Sequence, residues 1–454
     1  MFRTLLALLV LCCGPSALGL DETPAREPSA SASGKVYAWK AADELPFEYY
    51  VPRSYDADAG ANLTLVLHGN GLNERWTFWN HPAGKFRPDD IVVSPDGTTY
   101  HQGMKNDEFL GARRDADRLH AFLEELKETF NVKKVFLYGH SQGSFFVFYY
   151  AGEYPQDVDG VLGHASGVWN WSKQAKAGHH QAVALMHGTE DHIPYGQSWW
   201  GRKSYEEAGY EHVHLRTLWN WPHAPHQLQA AQVLAWVEAM VSDDPERVAV
   251  CLEDLSDPKI PMGLDWSALH EVAAKLAKMK GASAKHKKAA TVALAAVEKA
   301  GQAQVEAITK LLGKKGKLHE LPESASTAEF VGILLRLREE FRNTPVFQQF
   351  QKDRKKSLAA LEKAEEKSLE EFWKHAESKP GKAFAAGLEA LEKGFLSRQM
   401  PRVLGKMKAW ADDAKTHGIN KKDGETFRKL VAAYEKGVQK GGKSYESRNA
   451  KQRL

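Results

Sequence analysis

A serine sits between two glycines in Gly139-His140-Ser141-Gln142-Gly143, directly after the apolar run Val135-Phe136-Leu137-Tyr138 and before an aromatic-rich stretch that ends at Ala151. A strand that feeds G-x-S-x-G into a helix is a nucleophile elbow, a sharp turn that holds the serine Oγ above the sheet edge. The glycines serve the close approach of backbone to backbone, where a Cβ would clash. A serine hydroxyl is a poor nucleophile at neutral pH, so it needs a base, and the base needs a group to orient it. Two histidines compete for the first role, His223 and His226, both after the last strand-like segment. Pro225 suits the first position of a helix, which would put His226 in its first turn, where the positive helix end opposes an imidazolium. His223, in the loop before it, is therefore the expected base. Glu190 and Asp191 offer the acid. No H-E-x-x-H or Cys/His cluster with ligand spacing occurs, so neither a metal nor another cofactor is expected.

Positioning such a site takes a scaffold. Apolar and alternating runs predict strands near 35–40, 47–51, 62–67, 91–94, 134–139, 159–164, 182–187 and 212–218. Helical periodicity falls near 108–130, 142–153, 197–208 and 226–241. Alternation of this kind means a doubly wound, mostly parallel α/β sheet covered on both faces. The connection from His164 to Gln181 is short, which leaves little room for an inserted helical lid.

Two further segments complete a pattern. His68-Gly69-Asn70-Gly71 ends the strand at 62–67, and His187-Gly188-Thr189-Glu190-Asp191 ends the strand at 182–187. With the elbow between them and the histidines last, residues 35–243 resemble the α/β-hydrolase superfamily, in particular its carboxylesterase-like serine hydrolases. The resemblance implies Ser141 as nucleophile, Asp191 as acid and His223 as base. It also implies an oxyanion hole made by the N–H of Gln142 and a donor from Asn70.

The remainder of the chain differs in kind. Residues from Lys259 onward hold 40 Lys and Arg against 24 Asp and Glu, which leaves the first part acidic, although the 454-residue chain carries only +3 overall. Helical periodicity covers 266–280, 284–312, 327–343, 346–377, 382–416 and 424–439, without a fixed repeat or a catalytic constellation. Lysine interleaved with glutamate reads as a solvated helix face, so nucleic-acid binding is not expected; weak contact with anionic surfaces, or docking onto the acidic first part, fits the charge. The oligomeric state is open.

The expected organisation is a signal peptide at 1–19, a disordered linker at 20–34, an α/β-hydrolase domain at 35–245 and a basic all-α domain at 262–454. Asp243-Asp244-Pro245 marks the boundary between the last two. Arg3, the apolar Leu5 to Leu11 and the small residues Ala17-Leu18-Gly19 have the form of a cleavable leader, which implies a secreted or periplasmic protein. Loss of that leader would leave Cys251 as the sole cysteine and no intramolecular disulfide. The expected function is hydrolysis of a small-molecule or surface-presented carboxylic ester. The alternative is a catalytically inactive surface-binding or scaffold protein acting through its basic helices.

Overall fold

The computed structural model describes residues 23–102, 106–109, 112–168, 172, 174, 176–193, 195–259, 263–312, 333–392 and 400–439. Eight strands form one sheet in the spatial order β1 (Val36–Lys40), β2 (Pro46–Tyr50), β4 (Ile91–Pro95), β3 (Ala61–Leu67), β7 (Val132–His140), β8 (Gly160–His164), β9 (Ala182–Gly188) and β10 (His212–Leu218). The pairings β1–β2 and β2–β4 are antiparallel; the rest are parallel. A two-stranded hairpin, β5 (Thr99–His101) with β6 (Asn106–Glu108), stands apart from the sheet. Residues 35–245 thus carry the doubly wound, mostly parallel sheet that their sequence implies.

Strand side chains alternate between the two faces, and each face seeds its own core. Val135, Leu137, Val183 and Leu185 point to a cluster completed by α2 (Arg113–Thr129), α3 (Gln142–Glu153) and α4 (Gly196–Glu207). Phe136, Tyr138, Ala184 and Met186 point to the other, which begins with α5 (Gln227–Val241). Small residues let α5 come close. A Cβ on Gly160 would lie 2.2 Å from Val237 Cγ1.

That second cluster does not stop at α5. It continues through α6 (Pro245–Leu255), α7 (Trp266–Lys278) and α8 (Ala284–Leu312), then through helical residues 333–340 (α9) and α10 (Pro345–His375). It ends in α11 (Pro380–Glu392), α12 (Met400–Asp412) and α13 (Lys421–Gln439). Polar bonds tie the helical half to both faces of the sheet. Asp265, the N-cap of α7, reaches His214 Nε2 of β10 at 2.7 Å, and Trp236 Nε1 donates to Glu271 at 2.7 Å. Arg202 of α4 pairs with Glu339 at 3.1 Å, and Arg342 pairs with Glu206 of α4 at 2.9 Å. The basic helices therefore lie against the acidic first part.

Several expectations are corrected. The expected linker includes residues 23–34, which are not a free tether. Arg26 N–H donates to Ala38, Tyr49 Oη donates to the carbonyls of Arg26 and Glu27, and Ala32 is fully buried. The segment supplies partners to backbone groups at the β1–β2 edge, which would otherwise be left unpaired. The stretch between the two expected domains holds α6, because Asp244 caps that helix and Pro245 opens it. An Asp-Pro pair reads as a break in sequence and also serves as a helix start. The helix expected from 108 begins at Arg113, with Glu108 in β6 instead. The segment expected as one helix over 382–416 comprises α11 and α12, and residues 393–399 lie outside the described residues. So do the leader at 1–19 and the first residues of the helix expected over 327–343.

Cys251 is buried as a small core residue, and burial pushes its thiol pKa up. Among the described residues, no helix is long and apolar enough to cross a membrane.

Candidate active site

The candidate site lies at the sheet's carboxyl edge. β7 ends at His140, and Ser141 follows at φ 53° and ψ −114°, a backbone conformation that a non-glycine residue adopts only when its surroundings enforce it. The enforcing contacts are steric. A Cβ on Gly139 would fall 2.2 Å from the Gly143 carbonyl oxygen, and one on Gly143 would fall 2.4 Å from the Leu67 carbonyl oxygen. Only glycine lets α3 fold back so tightly onto β3 and β7.

Three residues that lie far apart in sequence meet here. His223 Nε2 lies 3.0 Å from Ser141 Oγ, and its Nδ1 lies 2.8 and 2.9 Å from the two carboxylate oxygens of Asp191. A ring whose Nδ1–H donates to the carboxylate has its Nε2 lone pair free to accept the serine proton. The Asp191 side chain is fully buried and also accepts the Ile193 N–H at 2.7 Å. Glu190, the other candidate acid, points away and pairs with Lys408 of α12 at 3.1 Å.

His226 is placed otherwise than the sequence suggests. It is the N-cap of α5 rather than a first-turn residue; its Nδ1 accepts the Gln229 N–H at 3.4 Å and its ring packs 4.4 Å from Trp221. That job fixes its lone pair and keeps it away from Ser141.

The expected oxyanion residues flank the serine. Gln142 opens α3, so its N–H belongs to a helix N-terminus, where backbone donors and dipole favour negative charge. The His68–Gly71 loop lies against Ser141: a Cβ on Gly69 would meet Ser141 Cβ at 3.0 Å, and Gly143 N–H donates to the His68 carbonyl. Sequence reasoning missed what ties these parts together. Glu108 is fully buried and accepts from the Asn70 side chain at 2.9 Å, the Gly71 N–H at 3.1 Å and the Gln142 side chain at 2.9 Å. Its partners lie more than 30 residues away on either side, so no local pattern marks it.

Behind His223 lies a layer of neutral imidazoles. His140 stacks on Trp76 at 5.1 Å and contacts the rings of His164 and His223 at 5.0 and 5.1 Å. Burial, reinforced by the neighbouring histidines, holds His140 and His164 well below the ordinary histidine pKa. Burial also lowers His187, outweighing Asp191 beside it. A cation forming on His223 then meets no competing positive charge in this layer.

The tryptophans divide. Trp76, Trp199, Trp221 and Trp236 are buried in the cores, whereas Trp79 and Trp200 are exposed; Trp169 and Trp171 lie outside the described residues. The helical half reaches this edge as well. Besides Lys408 on Glu190, Glu340 accepts from Trp219 Nε1 at 3.1 Å, next to the loop that carries His223.

Comparison with known proteins follows the same outline. Residues 79–233, which contain Ser141, Asp191 and His223, match the family model described as the alpha/beta hydrolase fold. Residues 35–245 of this chain have the α/β-hydrolase fold. No curated protein matches the chain. Among solved structures it is similar to the protein Atu2452 of unknown function from Agrobacterium tumefaciens, at 20% identity and TM-score 0.34, over 42% of this chain and 97% of that one. It is similar to esterase PE8 at 19% identity and TM-score 0.35, over 42% and 97% respectively. A carboxylesterase from Mesorhizobium loti is similar at 15% identity and TM-score 0.37, over 44% and 97%.

Proposed function

We propose that this protein is a serine hydrolase that cleaves carboxylic esters through an acyl-enzyme on Ser141. The reading rests on one observation above all, the continuous line of contacts from Ser141 Oγ through His223 to Asp191. Ser141 Oγ attacks the ester carbonyl carbon while His223 Nε2 takes its proton. Asp191 holds the imidazole tautomer and stabilises the imidazolium. The N–H of Gln142 and a donor from the Asn70 loop receive the oxyanion, a contribution worth about 3–4 kcal/mol per donor in enzymes where one has been removed. His223 then protonates the departing alkoxide, and water, activated by the same base, releases the acid and restores the serine. The leader-like start of the chain supports a secreted or periplasmic location, which N-terminal sequencing of the mature protein would test.

A panel of aryl esters of graded acyl length, run on wild type and Ser141→Ala, tests the chemistry. Loss of the nucleophile should cost about six decades in kcat where such residues act as a unit, with the fold retained by circular dichroism. Turnover retained in Ser141→Ala would overturn the serine mechanism. A wild type inert across the panel would favour the scaffold alternative.

A further inference from the structure

A third side chain stands beside the base and acid that the proposed mechanism does not use. His192 follows Asp191 and its ring lies 4.2 Å from that of His223 in an edge-to-face contact. Its Nδ1 is 3.7 Å from Asp191 Oδ1, the same oxygen that lies 2.8 Å from His223 Nδ1. One ligand atom from each of the three residues falls within 4.8 Å of the other two. Zinc bonds of about 2.0–2.2 Å in a tetrahedral shell put ligand atoms about 3.3–3.6 Å apart, between the two separations found here. The side chain of His192 is 71% exposed, so an ion can arrive from solvent without opening the core. Two imidazoles and a carboxylate form a donor set suited to zinc and its neighbours, and ill suited to magnesium or calcium, which prefer oxygen ligands.

We propose that His192, His223 and Asp191 form an inhibitory site for zinc-like transition-metal ions, which switch the enzyme off by reversing the tautomer of its base. A metal on His223 Nδ1 needs the lone pair of that nitrogen, so the ring proton moves from Nδ1 to Nε2 through solvent. The imidazole stays neutral, and nothing is oxidised or reduced. Nε2 then bears a hydrogen and points it at Ser141 Oγ, so it cannot accept the serine proton. Asp191 leaves its bond to Nδ1–H and becomes a ligand, and water fills the fourth position. The inference rests on the proposed roles of Ser141, His223 and Asp191.

The test has a binding arm and an activity arm. Zinc titrated calorimetrically into full-length Ser141→Ala should give a site that disappears in the double variant Ser141→Ala/His192→Ala. His120, Glu124 and Asp157 offer a separate set of ligand atoms, so the readout is the difference between the two titrations rather than the total stoichiometry. In the activity arm, micromolar zinc should inhibit wild type reversibly with EDTA, and millimolar magnesium should not. His192→Ala should keep its basal rate and need at least about tenfold more zinc, since even loss of an outer-shell partner costs about 10–100-fold in metal affinity. Equal inhibition of wild type and His192→Ala, or identical heats in the two titrations, would overturn the site. A wild type without esterase activity would fail the proposed function instead, while the binding arm would still decide whether the metal site exists.

Discussion

The two faces of the sheet are closed in different ways. One is sealed by α2, α3 and α4, helices that the βα units of the first half supply themselves. The other receives α5 and is then covered by helices drawn from residues beyond 245, in a single cluster that runs from Phe136 and Met186 to Leu430. A face closed locally draws its apolar core from the first half alone, and the helical half meets it through the ion pairs of α4 with Glu339 and Arg342. A face closed from afar makes the helical half part of the fold that holds the site, since α5 carries the His226 cap and follows directly on His223. The candidate site takes Ser141 and Glu108 from the first side and His223, its proposed base, from the second.

The largest effect should come from removing the remote cover. If the boundary near 244–262 divided two foldable units, a chain ending at Asp257 would be soluble and active. The shared cluster argues for the opposite outcome. Such a chain loses the α7 side chains Leu269, Val272 and Leu276, all buried, and leaves Trp236 and His214 facing water. Each buried aliphatic lost typically costs about 2–5 kcal/mol, against a total stability of about 5–15 kcal/mol for a protein domain. The shortened chain should aggregate or show a broadened, non-cooperative melt. A sharp melt with full esterase activity would mean that the two halves fold separately.

Next is the polar tie across that boundary. Burial opposes ionisation of Asp265, but His214 and Arg216 outweigh it and hold the carboxyl down to about 2. A depressed folded pKa contributes stability above the unfolded value of about 3.9, and that stability is lost as pH falls through about 2. A gap of nearly two units corresponds to about 2–3 kcal/mol. Asp265→Asn should therefore lose about that much by urea unfolding at pH 7, and the difference from wild type should shrink as pH falls from 4 toward 2. A difference independent of pH would mean that the tie is packing rather than charge.

Glu108 probes the locally closed side. Glu108→Gln replaces an acceptor for three N–H groups with an amide that must turn one donor toward them. The Asn70 loop and the Gln142 side chain should loosen, lowering kcat about tenfold with little change in KM, a fraction of what full loss of an oxyanion donor costs. Stability should move little. A rise in KM alone would assign Glu108 to substrate binding instead.

What the sequence made legible follows from how local each signal is. The strands were readable because apolar runs of five to nine residues bounded by turns have few other readings, and Ser141 because both of its glycines lie within two residues of it. His223 was separable from His226 through Pro225, although the helix starts two residues later than Pro225 suggested and His226 caps it. Glu108 was hidden, since its three partners arrive from the β3 and β7 ends and its own segment read as a helix start. His192 was not marked in the sequence because its nearness to His223 spans 31 residues. The shared core was hidden for a related reason. An amphipathic stripe such as Ile333, Leu334, Leu337 and Phe341 says that one face is buried but does not name the surface that buries it.

The smallest expected effect discriminates most finely, and it concerns the two histidines at the join between site and remote face. His226 caps α5 through Nδ1 and lies 2% exposed against Trp221, so His226→Ala removes a cap and a ring contact. Loss of a side-chain N-cap costs about 1 kcal/mol, which in a cooperative unit of this size lowers Tm by only about 1–2 °C. Its kcat on an activated ester should fall only a few-fold, through slight displacement of the loop that carries His223. His223→Ala should do the reverse, leaving Tm nearly unchanged and removing several decades of kcat, because Ser141 then has no acceptor at 3.0 Å. The two substitutions thus separate stability from chemistry in residues three apart. A loss of decades at 226 with a modest loss at 223 would transfer the base to the cap position and undo the assignment of roles between the edge and the face.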